Sequence, residues 1–146
     1  MAYFFFDTTA LAKRYCLELG THKVNEILHE KRNQVIFSEC AVTELFSTLN
    51  KKVRRNDLTR DDYYTVIYKF ESEVEQGLFK IIDMSPLVIR NSKLLLLQHP
   101  FLRFSTALQL SYAIELFALK PTLVSSDIHL LEASKLSGFK ILNPEK

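Results

Sequence analysis

Two aspartates sit where an apolar run stops and a helical pattern begins. Tyr3-Phe4-Phe5-Phe6 ends at Asp7-Thr8-Thr9, and Pro121-Thr122-Leu123-Val124 ends at Ser125-Ser126-Asp127. Folding alone does not call for a carboxylate at the C-terminal tip of two separate strands. In an open α/β sheet those tips form the crevice where ligands bind, so two carboxylates converging there suggest a bound cation. Each has a simpler reading, as N-cap of the helix that follows, although Thr8 and Thr9 are already available to cap after Asp7. A third acid, Glu44, is flanked by Val42, Leu45 and Phe46 in a helical stripe. A charge so near a buried face is costly unless it is paired or bound to a metal. The alternative is that Glu44 lies at the edge of the stripe and reaches solvent or a lysine.

The segments that must position these groups alternate between strand and helix. Thr8 or Thr9 caps a helix through Tyr15, and a break at Gly20-Thr21 precedes a short amphipathic helix carrying Val24, Ile27 and Leu28. Gln34 to Phe37 reads as a strand. Ser38 is suited to cap the next helix, whose stripe is Val42, Leu45, Phe46, Leu49 and Val53. Thr59 with Asp62 opens a helix that continues through Phe70 and Val74. A strand over Phe79 to Asp83 follows, then a helix started by Ser85-Pro86 and ended by His99-Pro100. Ser105 or Thr106 caps a helix with an apolar face from Ala107 to Phe117. After the strand to Ser125 comes a helix from about Ile128, closed by Gly138, and a last strand over Phe139 to Leu142. Strands that are apolar without alternation, separated by helices, argue a parallel sheet covered on both faces. The expected class is α/β, a three-layer α/β/α arrangement with a central, mainly parallel sheet of four to five strands, in one domain over residues 1–146.

Composition narrows the function classes. A chain of 146 residues, 47% hydrophobic and 25% charged, is large enough to bury its own core and has the mix of a soluble protein. No apolar run approaches the ~18 residues of a membrane span, and the start lacks a basic region with a cleavage site. Cys16 and Cys40 form no metal-ligand spacing and read as free thiols in a reducing cytosol, which points to a cytoplasmic protein with no membrane contact. A net charge of +2 is too small to advertise a nucleic-acid partner. His22, His29, His99 and His129 are scattered and do not suggest zinc. The three glycines form no phosphate loop. Tyr63, Tyr64 and Tyr68 read as packing or a partner surface.

Four motifs in order resemble the PIN-domain family, the fold of the VapC toxins. They are Phe6-Asp7-Thr8-Thr9-Ala10-Leu11-Ala12-Lys13-Arg14-Tyr15; Ser38 to Leu49 with Thr43-Glu44-Leu45; Leu102-Arg103-Phe104-Ser105-Thr106-Ala107-Leu108-Gln109-Leu110; and Val124 to Gly138 with the closing Leu142-Asn143-Pro144-Glu145. The similarity covers essentially the whole chain. It implies acidic residues around one or two Mg²⁺ or Mn²⁺ ions and hydrolysis of RNA phosphodiester bonds. It also implies an antitoxin protein as partner and a homodimer.

Carried over by position, the metal and catalytic residues are Asp7, Glu44 and Asp127, with Thr8, Ser125 and Thr106 beside them. Thr106 stands where the family has Asp, and Gln109 where His is common. One or two direct carboxylates suffice to hold Mg²⁺ beside a substrate phosphate. The neutral Thr106 makes a second ion doubtful, so one-metal chemistry is expected. The rival is a catalytically weakened domain that binds RNA or protein. Lys13, Arg14 and Arg103 are the expected phosphate contacts, since Lys and Arg supply the sequence-independent part of nucleic-acid affinity. The run Lys51, Lys52, Arg54 and Arg55 is expected to be a solvated helix end, where cations suit the dipole.

Overall fold

A computed structural model describes residues 1–146. Five strands form one sheet: β1 (Ala2–Phe6), β2 (Asn33–Ser38), β3 (Phe79–Ile82), β4 (Thr122–Val124) and β5 (Lys140–Leu142). Every pairing is parallel, and the order is β3-β2-β1-β4-β5. Seven α-helices connect the strands: α1 (Thr8–Tyr15), α2 (Thr21–His29), α3 (Glu39–Arg54), α4 (Arg60–Glu75), α5 (Pro86–Gln98), α6 (Phe104–Glu115) and α7 (Ile128–Leu136).

Alternate residues of each central strand face opposite layers. Phe6, Val35, Phe37 and Val124 join one apolar cluster with Leu11, Val24, Leu45, Leu49 and Phe70, from α1 to α4. Phe5, Ile36 and Leu123 join a second with Val88, Leu95, Leu110 and Leu130, from α5, α6 and α7. Both faces are therefore covered, which explains why these strands are apolar at consecutive positions. The result is the expected three-layer α/β/α fold. No helix is long and apolar enough to cross a membrane.

Three helix starts follow the sequence expectation: Ser38 accepts from the N–H of Ala41, Thr59 from that of Asp62, and Ser85 from that of Val88. Two do not. Asp7, not Thr8 or Thr9, caps α1, because its carboxylate accepts from the N–H of Ala10. The helix α6 begins earlier than expected, at Phe104, so Thr106 is its third residue rather than its cap. The Thr106 hydroxyl still closes that first turn, accepting from the Arg103 N–H at 3.0 Å and donating to the Arg103 carbonyl at 3.0 Å.

The strand order places the site. From β1 the chain builds outward through β2 to β3, then returns to lay β4 against the other edge of β1. The order reverses between β1 and β4, and such a switch point leaves a crevice outside the C-terminal ends of the two strands. Asp7 and Asp127 lie at those two ends.

Candidate functional site

The tips of β1 and β4 are stapled together by short polar side chains. The Asp7 N–H donates to the Val124 carbonyl at 3.2 Å. Asp7 Oδ1 accepts from Thr9 Oγ1 at 2.7 Å and from the Ala10 N–H at 3.0 Å, while Oδ2 accepts from Ser125 Oγ at 2.6 Å. Ser125 Oγ in turn accepts from the Asp127 N–H, and Thr9 Oγ1 accepts from the Ser126 N–H, both at 2.9 Å. The turn Ser125-Ser126-Asp127 is thus held by Asp7 and Thr9.

Asp7 is only 2% exposed. Burial pushes its carboxyl up to about 6; the bonds from Ser125, Thr9 and Ala10 work against that rise, and the Asp127 charge adds to it. Desolvation is the governing cause, since it disfavours the charged form. Three donors occupy a carboxylate with about four lone-pair sites, so one site remains for a cation.

Asp127 is less enclosed. Its Oδ1 caps α7 by accepting from the N–H groups of His129 and Leu130 at 3.0 and 3.2 Å. Its Oδ2 has only Arg103 Nη2, at 3.4 Å, and the Arg103 side chain is 76% exposed. Both aspartates are therefore helix caps as well as candidate ligands.

Glu44 faces the strand tips from the middle of α3. It lines a crevice of about 530 Å³ with Thr8, Thr9, Lys13, Lys52, Arg103 and Ser126. It is half-buried, and Gln109 Nε2 donates to its Oε1 at 3.2 Å. Gln109 is itself fixed by Ser38 Oγ, which donates to Gln109 Oε1 at 3.1 Å. No lysine pairs with Glu44; an amide donates to one of its oxygens, and the residue keeps part of its surface open to the crevice. The sequence did not announce this role for Gln109, which depends on α6 crossing the tip of β2.

The remaining expected residues divide. Lys13 is in the crevice wall, 3% exposed, with Nζ at 2.8 Å from Glu145 and 3.1 Å from Glu18. Burial opposes its charge, but the bonds to Glu145 and Glu18 outweigh this and hold its pKa above the usual lysine range. Arg14 is a correction. It points away from the crevice, forks onto Glu73 of α4 and donates to Asn25 of α2 at 2.8 Å. Adjacent residues on a helix project about 100° apart, so Lys13 and Arg14 cannot both face the strand tips. Lys52 is a second correction: it lies half-buried in the crevice wall, apart from its exposed neighbours Lys51, Arg54 and Arg55. Thr8 also lines the crevice, and its buried hydroxyl has no hydrogen-bond partner. Thr106 is 6% exposed, and its hydroxyl is spent on the start of α6.

The donor set suits a hard cation. It offers carboxylate and hydroxyl oxygens and no thiolate or imidazole ligand, which matches Mg²⁺ or Mn²⁺. Asp7 and Asp127 act on each other electrostatically, and an unpartnered hydroxyl lies beside them. No group of three or more His, Cys, Asp or Glu side chains comes close enough together to hold a metal ion. The residues therefore fit one ion shared with water and substrate oxygens, not a finished three-carboxylate cage.

No family model matches the chain, and no curated protein matches it. Solved structures do. VapBC2 from Rickettsia felis, crystallised bound to a DNA fragment from its promoter, is 21% identical with a TM-score of 0.67 and 98% of each chain covered. FitAcB from Neisseria gonorrhoeae is 16% identical with a TM-score of 0.65 and 97% of each chain covered. A toxin–antitoxin complex from Klebsiella pneumoniae is 17% identical with a TM-score of 0.61 and 97% of each chain covered. With its strand order, its two aspartate tips and these structural neighbours, the chain has the VapC-like PIN-domain fold.

Proposed function

We propose that this protein is a divalent-metal-dependent ribonuclease that hydrolyses RNA phosphodiester bonds, acting as the toxin of a type II toxin–antitoxin pair. The observation that carries this reading is the meeting of Asp7 and Asp127 at the switch point, with Glu44 facing them across a crevice that also holds the Arg103 cation. Toxin–antitoxin complexes of the same fold support an antitoxin as partner. Leu87, Leu94 and Leu97, exposed along α5, offer apolar surface for a second copy or an antitoxin. A cytoplasmic setting goes with the same reading.

The residues divide the work. A Mg²⁺ or Mn²⁺ ion at the Asp7 and Asp127 tips, with Glu44 facing it across the crevice, would supply polarisation of a phosphoryl oxygen and a more acidic bound water. Asp7 is the fixed anchor, preorganised by three donors. Asp127 keeps Oδ2 loosely held, so Arg103 is free to turn from it to a substrate phosphate. Gln109 keeps one oxygen of Glu44 oriented towards α6 and leaves the other for the crevice. Lys13 reaches a phosphate when Glu145 and Glu18 give way. Thr8 and Ser125 lend hydroxyl oxygens beside the carboxylates.

The second reading, a catalytically weakened domain that binds RNA or protein, is favoured by one observation. Thr106 brings no charge, its hydroxyl is already used, and three acids do not converge. Cleavage of RNA by purified protein with Mn²⁺ separates the two. The first reading expects cleavage that Asp7→Asn lowers at least about 100-fold, the scale of losing one electrostatic element of a site. An inert wild type with cleavage gained by Thr106→Asp supports the second. Inert wild type and inert Thr106→Asp, with no Mn²⁺ binding by calorimetry, sinks the nuclease.

A further inference from the structure

We propose that the stacked rings of Phe101 and His129 form a subsite for one nucleobase of the RNA, next to the nucleotide whose phosphate meets the strand tips. Phe101 is 78% exposed, yet its ring is ordered against His129, with centroids 5.6 Å apart and planes inclined by 16°. The pair borders a cavity of about 330 Å³ shared with Gln98, His99, Glu132 and Leu136. That volume is at the small end of the ~300–1,000 Å³ of ligand pockets, and suits one planar ring better than a chain segment.

The cavity is separate from the strand-tip crevice and shares no lining residue with it, but Asp127 and Arg103 lie between the two. The His129 N–H donates to Asp127 Oδ1 at 3.0 Å, and Arg103, two residues after Phe101, reaches Asp127 Oδ2 at 3.4 Å. Aromatic platform, cation and carboxylate tip therefore follow one another along the surface. Every base has a π-face that stacks on an aromatic ring whatever the sequence. The Gln98 amide, the His99 ring and the Glu132 carboxylate offer hydrogen-bonding groups to a base edge. An aliphatic anchor from a protein partner would leave those groups unmatched, which costs affinity.

This inference rests on the ribonuclease reading, and its test separates the two. Fluorescence anisotropy of the intact protein is measured with a labelled six-nucleotide RNA in EDTA, so that no turnover occurs. Single abasic positions are then scanned through the oligomer. Phe101→Ala should weaken binding about 5- to 150-fold, the range that base stacking supplies. One abasic position should weaken wild type by a similar factor and leave Phe101→Ala unaffected. An unchanged melting temperature confirms that the exposed substitution leaves the fold intact. His129→Ala should show the same insensitivity with a smaller loss. Equal affinity of wild type and Phe101→Ala, equal losses for intact and abasic RNA, or no measurable RNA binding each overturns the subsite. Base-dependent binding without Mn²⁺-dependent cleavage supports the subsite and refutes the nuclease; cleavage without base-dependent binding does the reverse.

Discussion

The two strand tips share one local plan, apolar strand, aspartate, helix, and yet they hold their carboxylates very differently. Asp7 is sealed beneath Thr9, Ser125 and the start of α1. Asp127 caps α7 with one oxygen and offers the other to an exposed arginine. The difference teaches that the same motif can carry two charges of different cost. Asp127, itself largely buried, has a guanidinium facing its second oxygen. Asp7 is an anion held against desolvation, and a cation in the crevice would relieve it.

The largest effect that sharpens this contrast is on stability against pH. The folded-state pKa of Asp7, about 6, lies above its usual 3.8, so the folded protein holds that proton more tightly than the unfolded chain. Stability contributed by the protonated form is complete below about 3.8 and is lost as pH rises through about 6. Moving a carboxyl over that interval is worth about 3 kcal/mol. Asp7→Asn should therefore raise the melting temperature at pH 7.5 and flatten its fall between pH 4 and 6, while Asp127→Asn keeps the fall and moves it only slightly to lower pH, because the Asp127 charge is the smallest of the causes that shift Asp7. Identical pH profiles for the two variants would erase the distinction between the tips.

Next in size is Ser125→Ala. It removes a donor to a charged, buried carboxylate and the acceptor of the Asp127 N–H. Denaturant melts at pH 7.5 should show a loss of about 1.5–3 kcal/mol. Below pH 4 the loss should shrink, because the protonated Asp7 needs that donor less.

Smaller again is Asp127→Ala, which removes the α7 cap and should cost about 1 kcal/mol in the same melts. Asp127→Asn keeps the capping oxygen and should cost less than half of that. The smallest is Arg103→Ala, whose partner contact is solvent-exposed. Its melting midpoint should correspond to a change below about 0.5 kcal/mol. Its RNA affinity should nonetheless fall and become less steep in salt, by about one counterion.

Much of this was legible in the sequence because the central strands are buried on both faces. Consecutive phenylalanines at 4, 5 and 6 and the run from Thr122 to Val124 can only be strands covered twice, and their ends fixed where to look for the site. Serine and threonine caps at positions 38, 59 and 85 were legible because capping is local. Asp7 as cap of α1 ranked behind Thr8 and Thr9 because these offered equally good local chemistry. Thr9 instead serves the distant Ser126 N–H, and no local rule reveals a long-range partner. Arg14 was misplaced for a related reason: its partners Glu73 and Asn25 lie on other helices. Lys52 looked like part of a solvated helix end, and only the packing of α3 beside the strand tips brings it inward. Glu145 is beyond any local signal. It meets Lys13 because Gly20, in a left-handed turn with φ of 94°, lets Pro144 approach where a Cβ would stand 3.1 Å from its carbonyl.

The switch point also sets a timetable. Asp7 and its donor Ser125 are 118 positions apart, and β4 must dock beside β1 before they can meet. Closing so long a loop is among the later events of folding, because non-local pairing has to overcome the entropy of the intervening chain. During synthesis, which runs from the N-terminus at about 5–20 residues per second, β1, β2 and β3 all leave the ribosome before β4 does. The crevice thus stays unbuilt on a nascent chain, with Asp7 in water at an ordinary carboxylate pKa. On the proposed ribonuclease reading, this order would keep the chain silent while it is being made beside the RNA that encodes it.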